Sequence, residues 1–325
     1  MKVSIDAIDY YLPPKTEDGS ILKEDNPDWC IEDIEKKTGI QVRHISAPDQ
    51  TATDMAVLAA EKLFSTGVQR QEIDFLVLVT QSPDYALPSS ACMLQDRLDL
   101  SKSCVAFDIN LGCSGFVYGL FVGGSIIEAG LAQKGLVICS DTYAKYIGKS
   151  DRTCRPLFSD GASAVLLSSC IHNDLGPFEM GTDGSGFCDL IVPSSGARVS
   201  WAESKEGHLF MDGAKVFMFT MDMVPKCVTA LLDKSGKTIG DIDMFFFHQA
   251  SKFVIDNIIR QLELPKEKVY VNYQRVGNTV SASIPIALKD AVSEGRLKNG
   301  DQIMLIGFGV GYSWGASFVQ WGVRP

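Results

Sequence analysis

Ile73-Asp-Phe-Leu-Val-Leu-Val-Thr-Gln81 is a near-continuous apolar run that leaves an Asp and stops at a polar Gln. Such a run marks a strand buried on both faces, as in a parallel sheet covered by helices. The same pattern returns as Ile242-Asp-Met-Phe-Phe-Phe-His-Gln249. Working outward, Gly130 follows Cys113 at the interval at which Gly295 follows Asn278, and Gly135 and Gly300 extend that register. Gly161-Ala-Ser-Ala-Val-Leu166 is echoed by Gly315-Ala-Ser-Phe-Val-Gln320. Matched signals in one order predict an internally duplicated α/β fold, with residues 1–172 forming one β-α-β half and 173–325 the other, packed about a pseudo-twofold axis. In that arrangement Cys113 and Asn278 face each other at equivalent helix starts, and His248 follows the paired strand.

The segments between these anchors continue an α/β alternation. Helices are expected over about Asp28 to Thr38, closed by Gly39, over Thr53 to Gly67, and over Ser89 to Leu98. Val105–Asn110 reads as a buried strand and Gly135–Ser140 as a further strand. Ser114–Ile127 reads as a small-residue apolar helix that begins where the Val105 strand ends. Cys113 therefore sits at a helix N-terminus, where unpaired N–H groups and the helix dipole favour a thiolate. That placement suits a nucleophile. It equally suits a structural cysteine, since free Cys is among the most buried residue types.

Composition bounds the chemistry. The 325 residues are 46% hydrophobic and 22% charged, an ordinary globular balance, and a net charge of −10 disfavours nucleic acid as a partner. The nine cysteines form no C-x-x-C pair, which argues for reduced thiols in a cytoplasmic protein rather than disulfides or a metal site. The N-terminus alternates like a strand and has no signal-like apolar region, and no run is long enough to span a membrane.

Cys113, His248 and Asn278, brought together by the duplication, make an acyl-transfer site. Cys113 attacks a thioester, and its own N–H together with the Gly307-Phe-Gly-Val-Gly311 turn, through Val310, supplies donors for the oxyanion. His248 and Asn278 donate to a second carbonyl. Each has a plainer reading: a His after a strand is often a satisfied core residue, and Gly277-Asn278 looks first like a turn.

Five motifs carry a resemblance that covers nearly the whole chain: Asn110-Leu-Gly-Cys-Ser-Gly-Phe116, Phe158-Ser-Asp-Gly-Ala-Ser-Ala164, His248-Gln-Ala-Ser251, Gly277-Asn-Thr-Val-Ser-Ala-Ser-Ile-Pro285 and Gly307-Phe-Gly-Val-Gly-Tyr-Ser-Trp-Gly315. In these the chain resembles the β-ketoacyl-acyl-carrier-protein synthase III family of the thiolase-like superfamily. The resemblance implies a five-layer αβαβα fold and a homodimer. It also implies a primer acyl group taken from acyl-CoA onto Cys113 and a decarboxylative condensation with malonyl-acyl carrier protein, with no cofactor. It places Leu87 of the partner subunit, Phe158, Leu190 and Leu209 around the acyl group, and Trp29, Lys37, Arg152 and Ser251 along the CoA and pantetheine path.

Several positions depart from the family pattern. The usual His-Gln-Ala-Asn ends here in Ser251. An Arg two residues beyond it is Phe253, and a Lys after Val-Phe is Met218. Both changes remove charges that dock an acidic carrier, and Lys215 and Lys252, though near in sequence, would point about 100° away on a helix. The adenine-stacking Trp of the family lies closer to Thr-Gly-Ile than Trp29 does, whereas Arg152 matches. The middle glycine of the last turn is Val310. Leu87 is smaller than the Phe of the acetyl-specific bacterial enzyme, which points to a primer longer than acetyl. The lost charges also favour a second reading, a non-condensing acyltransferase of the same fold that passes the acyl group to another acceptor. A non-catalytic partner subunit is the third.

Overall fold

A computed structural model describes residues 1–172, 174–193, 195 and 208–322. Its first sheet contains β1 (Val3–Tyr11), β2 (Phe75–Val79), β3 (Val105–Ile109), β4 (Lys134–Asp141) and β5 (Gly161–Ser169), and the second contains β6 (Leu175–Thr182), β7 (Met244–Phe247), β8 (Gln302–Gly309) and β9 (Ser313–Gln320). Strand order is β1-β5-β4-β2-β3 in one and β7-β8-β9-β6 in the other. β2 runs parallel to β3 and β4, as β7 does to β8, and the remaining pairs are antiparallel. A parallel bridge between Phe245 and Val269 completes the correspondence, with Val269 beside β7 where β3 stands beside β2.

The longer helices are α1 (Ile31–Thr38), α2 (Ala52–Phe64), α3 (Ser90–Arg97), α4 (Gly115–Glu128), α5 (Gly213–Ser235), α6 (Lys252–Gln261) and α7 (Ser283–Ser293). α4 and α7 pack between the two sheets and touch both, whereas α2 and α3 cover the outer face of the first sheet and α5 that of the second. Side-chain alternation explains the apolar runs. Phe75, Val77 and Val79 join the central core while Leu76 and Leu78 join an outer one. Met244 and Phe246 likewise face the centre while Phe245 and Phe247 face out. Five layers, αβαβα, result.

The small residues of α4 are what let it lie between two sheets. A Cβ on Gly119 would meet Val137 Cγ1 at 2.7 Å, and one on Gly124 would meet Leu175 Cδ2, from the second sheet, at 2.9 Å. Beyond the central helices, Gly130 (φ 74°) and Gly295 (φ 67°) both take left-handed conformations that terminate them. The first expected helix starts later than Asp28: Cys30 is the N-cap of α1, and Asn26 to Trp29 form a turn before it. Among the described residues no helix is long and apolar enough to cross a membrane.

Candidate active site

The carboxyl ends of β2, β4, β7 and β8 and the starts of α4 and α7 converge on one region, where α/β sheets generally place ligands. Cys113 lies in the tight turn from β3 to α4, with Gly115 N–H donating to Gly112 C=O at 2.7 Å. β8 passes against it. A Cβ on Gly307 would lie 2.9 Å from the Cys113 carbonyl oxygen, and one on Gly309 would lie 2.9 Å from Sγ, so only glycine fits at either place. The N–H groups of Val310 and of Cys113 itself face the sulfur, and they act to stabilise a thiolate. Burial, reinforced by the nearby Asp141 carboxylate, nevertheless pushes the thiol up to about 12. This corrects the expectation of a resting thiolate. A helix N-terminus contributes only about 0.3–1 kcal/mol, and a sulfur sunk at the base of a cavity loses more than that in hydration.

His248 follows β7, its N–H donating to Ile306 C=O at 2.8 Å, and only 2% of the residue is exposed. Burial lowers its pKa to about 3, a backbone hydrogen bond at Val280 opposing weakly, so the imidazole is neutral. Nδ1 lies 2.7 Å from Ser283 Oγ, the first residue of α7. That hydroxyl also accepts from Gln249 N–H at 3.5 Å. With its own proton given to Nδ1, the ring hydrogen lies on Nε2, and in that tautomer Nε2–H is the donor.

Asn278 is stitched to the segment that precedes β5. Its N–H donates to Leu157 C=O at 3.0 Å and its C=O accepts from Ser159 N–H at 2.9 Å, forming a parallel bridge with Phe158. Gly277, at φ 73°, makes the turn possible, and a Cβ there would meet Ser159 Cβ at 2.8 Å. Asn278 Oδ1 accepts from Val280 N–H at 3.0 Å, so the amide directs Nδ2 away as a donor. Val280 holds φ 53° although it is β-branched and fully buried. Backbone strain of this kind concentrates at functional sites.

Residues that sequence reasoning missed support these three. Asp141, at the end of β4, accepts from Gln81 N–H (2.8 Å), from Ser281 Oγ–H (2.5 Å) and N–H (3.3 Å), and from Ser82 Oγ–H (3.3 Å). Burial raises its pKa to about 7 against those donors. It ties the ends of β2 and β4 to the Asn278 loop. The signal available for it is a carboxylate that ends an apolar run, as Gln81 ends the run before it. Ser283 lies inside a quoted motif but carries no charge or spacing cue that singles it out.

A cavity of about 920 Å³ leads to the three residues, lined among others by Lys37, Arg152, Phe158, Leu190, Ser251, Phe253, Asn278 and Gly309. Phe158, Leu190 and Leu209 form one buried cluster with Cys113. Leu87 is 82% exposed and lies outside its own chain's cluster. Trp29 is a correction. It is buried, and the segment presents Asp33, Ile34, Lys37 and Thr38, one face of α1, to the cavity instead. Ser251 borders the cavity and its Oγ also caps α6, accepting from Val254 N–H at 3.4 Å. At the mouth, the Phe253 ring lies tilted 4.9 Å from that of Phe217 beneath Lys37 Nζ; Met218, the next residue of α5, is exposed and is not among the lining residues. Lys215 pairs with Asp189 at 2.8 Å and Lys252 pairs with Asp256, so both cations are neutralised locally.

Residues 107–184 match the family described as 3-oxoacyl-[acyl-carrier-protein] synthase III, and residues 232–321 match its C-terminal part. A β-ketoacyl-[acyl-carrier-protein] synthase III of Clostridium perfringens is 38% identical over 303 residues, 91% of each chain, and that of Clostridioides difficile is 35% identical over 98% of each. The crystal structure of a 3-oxoacyl-(acyl-carrier-protein) synthase III superposes with a TM-score of 0.95 at 40% identity, over 99% of this chain and 100% of that one. The enzyme of Pseudomonas aeruginosa PAO1 gives 0.92 at 33% identity over 100% of both. With this likeness along almost its whole length, the chain belongs to the 3-oxoacyl-[acyl-carrier-protein] synthase III family and has its thiolase-like fold.

Proposed function

We propose that this chain is a starter condensing enzyme in which Cys113 carries the acyl group and His248 and Asn278 drive decarboxylation. The observation that carries the reading is that all three line one cavity, with two backbone N–H groups facing the Cys113 sulfur. Sulfur attacks the thioester carbon of an acyl-CoA, the oxyanion is held by the Cys113 and Val310 N–H groups, and the C–S bond to CoA breaks. The thiol proton leaves with the departing CoA thiolate, so the raised Cys113 pKa is met by coupling proton loss to attack rather than by a standing thiolate. A malonyl thioester on acyl carrier protein then enters. His248 Nε2–H and Asn278 Nδ2–H hold its thioester oxygen, the C–CO2 bond breaks, and its electron pair becomes an enolate. The enolate carbon attacks the acyl-Cys113 carbonyl, and collapse releases a 3-oxoacyl thioester and the Cys113 thiolate, which is reprotonated. A neutral, buried imidazole suits a hydrogen-bond donor and no cofactor enters the scheme.

A homodimer fits the same reading. β3 is an edge strand with Val105 60% exposed, and Tyr85 and Leu87 are 60% and 82% exposed. Pairing there would cover all three and send Leu87 toward a partner's acyl pocket. The second reading, transfer to an acceptor other than malonyl carrier protein, is favoured by one observation: Phe253 lines the cavity and Met218 is exposed on α5, where a carrier would need cations, while Lys215 and Lys252 are held in ion pairs. Intact-mass measurement after incubation with acyl-CoA tests the common step. One acyl group per chain is expected, absent in Cys113→Ala; an adduct on that variant refutes the nucleophile.

A further inference from the structure

Ser114 is the N-cap of α4, where a serine ordinarily accepts from the second or third helical N–H, yet its side chain makes no such bond. Its hydroxyl lies instead 2.7 Å from Oγ of Ser313, the first residue of β9, and the two residues are 0% and 1% exposed. Ser313 Oγ–H donates in turn to Val310 C=O at 2.8 Å. That bond uses the Ser313 proton, so Ser114 Oγ–H is the donor to Ser313 Oγ. A buried chain of hydrogen bonds thus runs from the residue after the nucleophile to the residue whose N–H faces its sulfur.

Val310 needs such an anchor. It stands between Gly309 and Gly311, the latter at φ 135°, so the turn has the backbone freedom that glycine brings. Three contacts remove that freedom. Val310 Cγ1 packs where a Cβ on Gly112 would come within 2.9 Å, which holds the Val310 Cβ, and the Ser313 hydroxyl holds its carbonyl. With Cβ and the carbonyl carbon placed around Cα, the tetrahedral centre leaves one position for the nitrogen. Pairing of Gly309 with Ser313 in the β8–β9 ladder fixes the peptide on its other side, and the N–H direction follows. Ser114 adds register, because it joins this turn to the residue bonded directly to Cys113. We propose that Ser313, supported by Ser114, is a positioning residue that holds the Val310 N–H on the oxyanion formed when Cys113 is acylated. The inference rests on the acyl-enzyme reading above.

The test follows Cys113 acylation by intact mass across acyl-CoA concentrations. An oxyanion donor acts on the transition state, so Ser313→Ala should lower the maximal loading rate by about 10- to 100-fold and leave the half-saturating acyl-CoA concentration within about twofold. Ser313→Thr keeps the hydroxyl and should recover most of the rate. Ser114→Ala leaves the Ser313–Val310 bond in place and should slow loading by less than about fivefold, and the double Ala variant should load as slowly as Ser313→Ala alone, because Ser114 acts only through Ser313. A second readout needs no acyl group: alkylation of Cys113 by iodoacetamide at about pH 9, mapped by peptide mass, reports the thiolate that the Val310 N–H stabilises, and Ser313→Ala should slow it at least about threefold. Should Ser313→Ala not fold, Ser313→Cys, a weaker donor of similar size, takes its place with the same expected order. Wild-type loading and alkylation in the folded variant overturn the proposal, and so do a raised half-saturating concentration with an unchanged maximal rate, or losses at Ser114 and Ser313 that multiply. If the wild type forms no acyl adduct, the acyl-enzyme reading falls, while slower alkylation of the variant still supports the placement of the N–H and unchanged alkylation overturns it.

Discussion

Replacing Ser283 by Ala tests how the donor at His248 is set. The hydroxyl is 2.7 Å from Nδ1, and both residues are 2% exposed, so water does not take its place. Its loss leaves a buried ring nitrogen without a partner, which costs about 1–3 kcal/mol, and removes what holds the hydrogen on Nε2. Where that donor acts only in decarboxylation, the cost appears as a slowing of about 5- to 150-fold in that step. The assay separates two half-reactions: acyl loading followed by intact mass, and CO2 release from malonyl carrier thioester by the loaded protein. Ser283→Ala should slow CO2 release by that factor and leave loading at its wild-type rate, with Ser283→Thr restoring most of the loss. Equal slowing of both steps, or unchanged CO2 release, would refute the reasoning.

Three further outcomes are expected. Glu17 joins Arg43 (2.6 Å) and Arg155 (3.3 Å) where the side chains are 13%, 4% and 7% exposed; Arg155 keeps Asp25 at 2.5 Å, so Glu17→Gln leaves the buried Arg43 guanidinium without a carboxylate partner. A loss of about 3–5 kcal/mol in urea unfolding should follow, and a loss under about 1 kcal/mol would show the network to be dispensable. The His248 pKa is depressed from about 6.5 unfolded to about 3 folded, so its contribution to stability is fully present above pH 6.5 and falls by about 1.4 kcal/mol per unit as pH drops from 6.5 to 3. His248→Ala should therefore flatten the stability–pH curve across that window; an unchanged slope would mean the ring is protonated in the folded state. Gly309→Ala would drive a methyl to within 2.9 Å of Cys113 Sγ, and loading should fall by about 10²-fold through misplacement of the sulfur, whereas wild-type loading would show that β8 yields freely.

Much of the fold is legible because burial on both faces leaves a coarse mark. The runs at Ile73 and Ile242, and the glycines that end the two central helices, required no knowledge of contacts. That Cys113, His248 and Asn278 line one cavity is legible through register for the same reason, since Cys113 and Asn278 precede matching helix-ending glycines at equal intervals. What was not legible depends on neighbours distant in sequence. The Cys113 thiol was expected to ionise from its local helix position, but burial under β8 decides its state. Trp29 fits a stacking role by residue type, yet the turn from Asn26 to Trp29 buries it and turns Asp33 and Lys37 toward the cavity. Asp141 and Ser283 act through hydrogen bonds to residues 140 and 35 positions away, and no periodicity records such pairings.

The central claim is that the acyl group on Cys113 is condensed rather than passed on. The direct measurement is a single turnover of isotopically labelled acyl-Cys113 protein with malonyl carrier thioester, counting CO2, labelled product and remaining adduct together. One CO2 and one labelled 3-oxoacyl thioester for each adduct lost is the predicted result. Loss of the adduct to water, alcohol or amine acceptors with no CO2 released would contradict it.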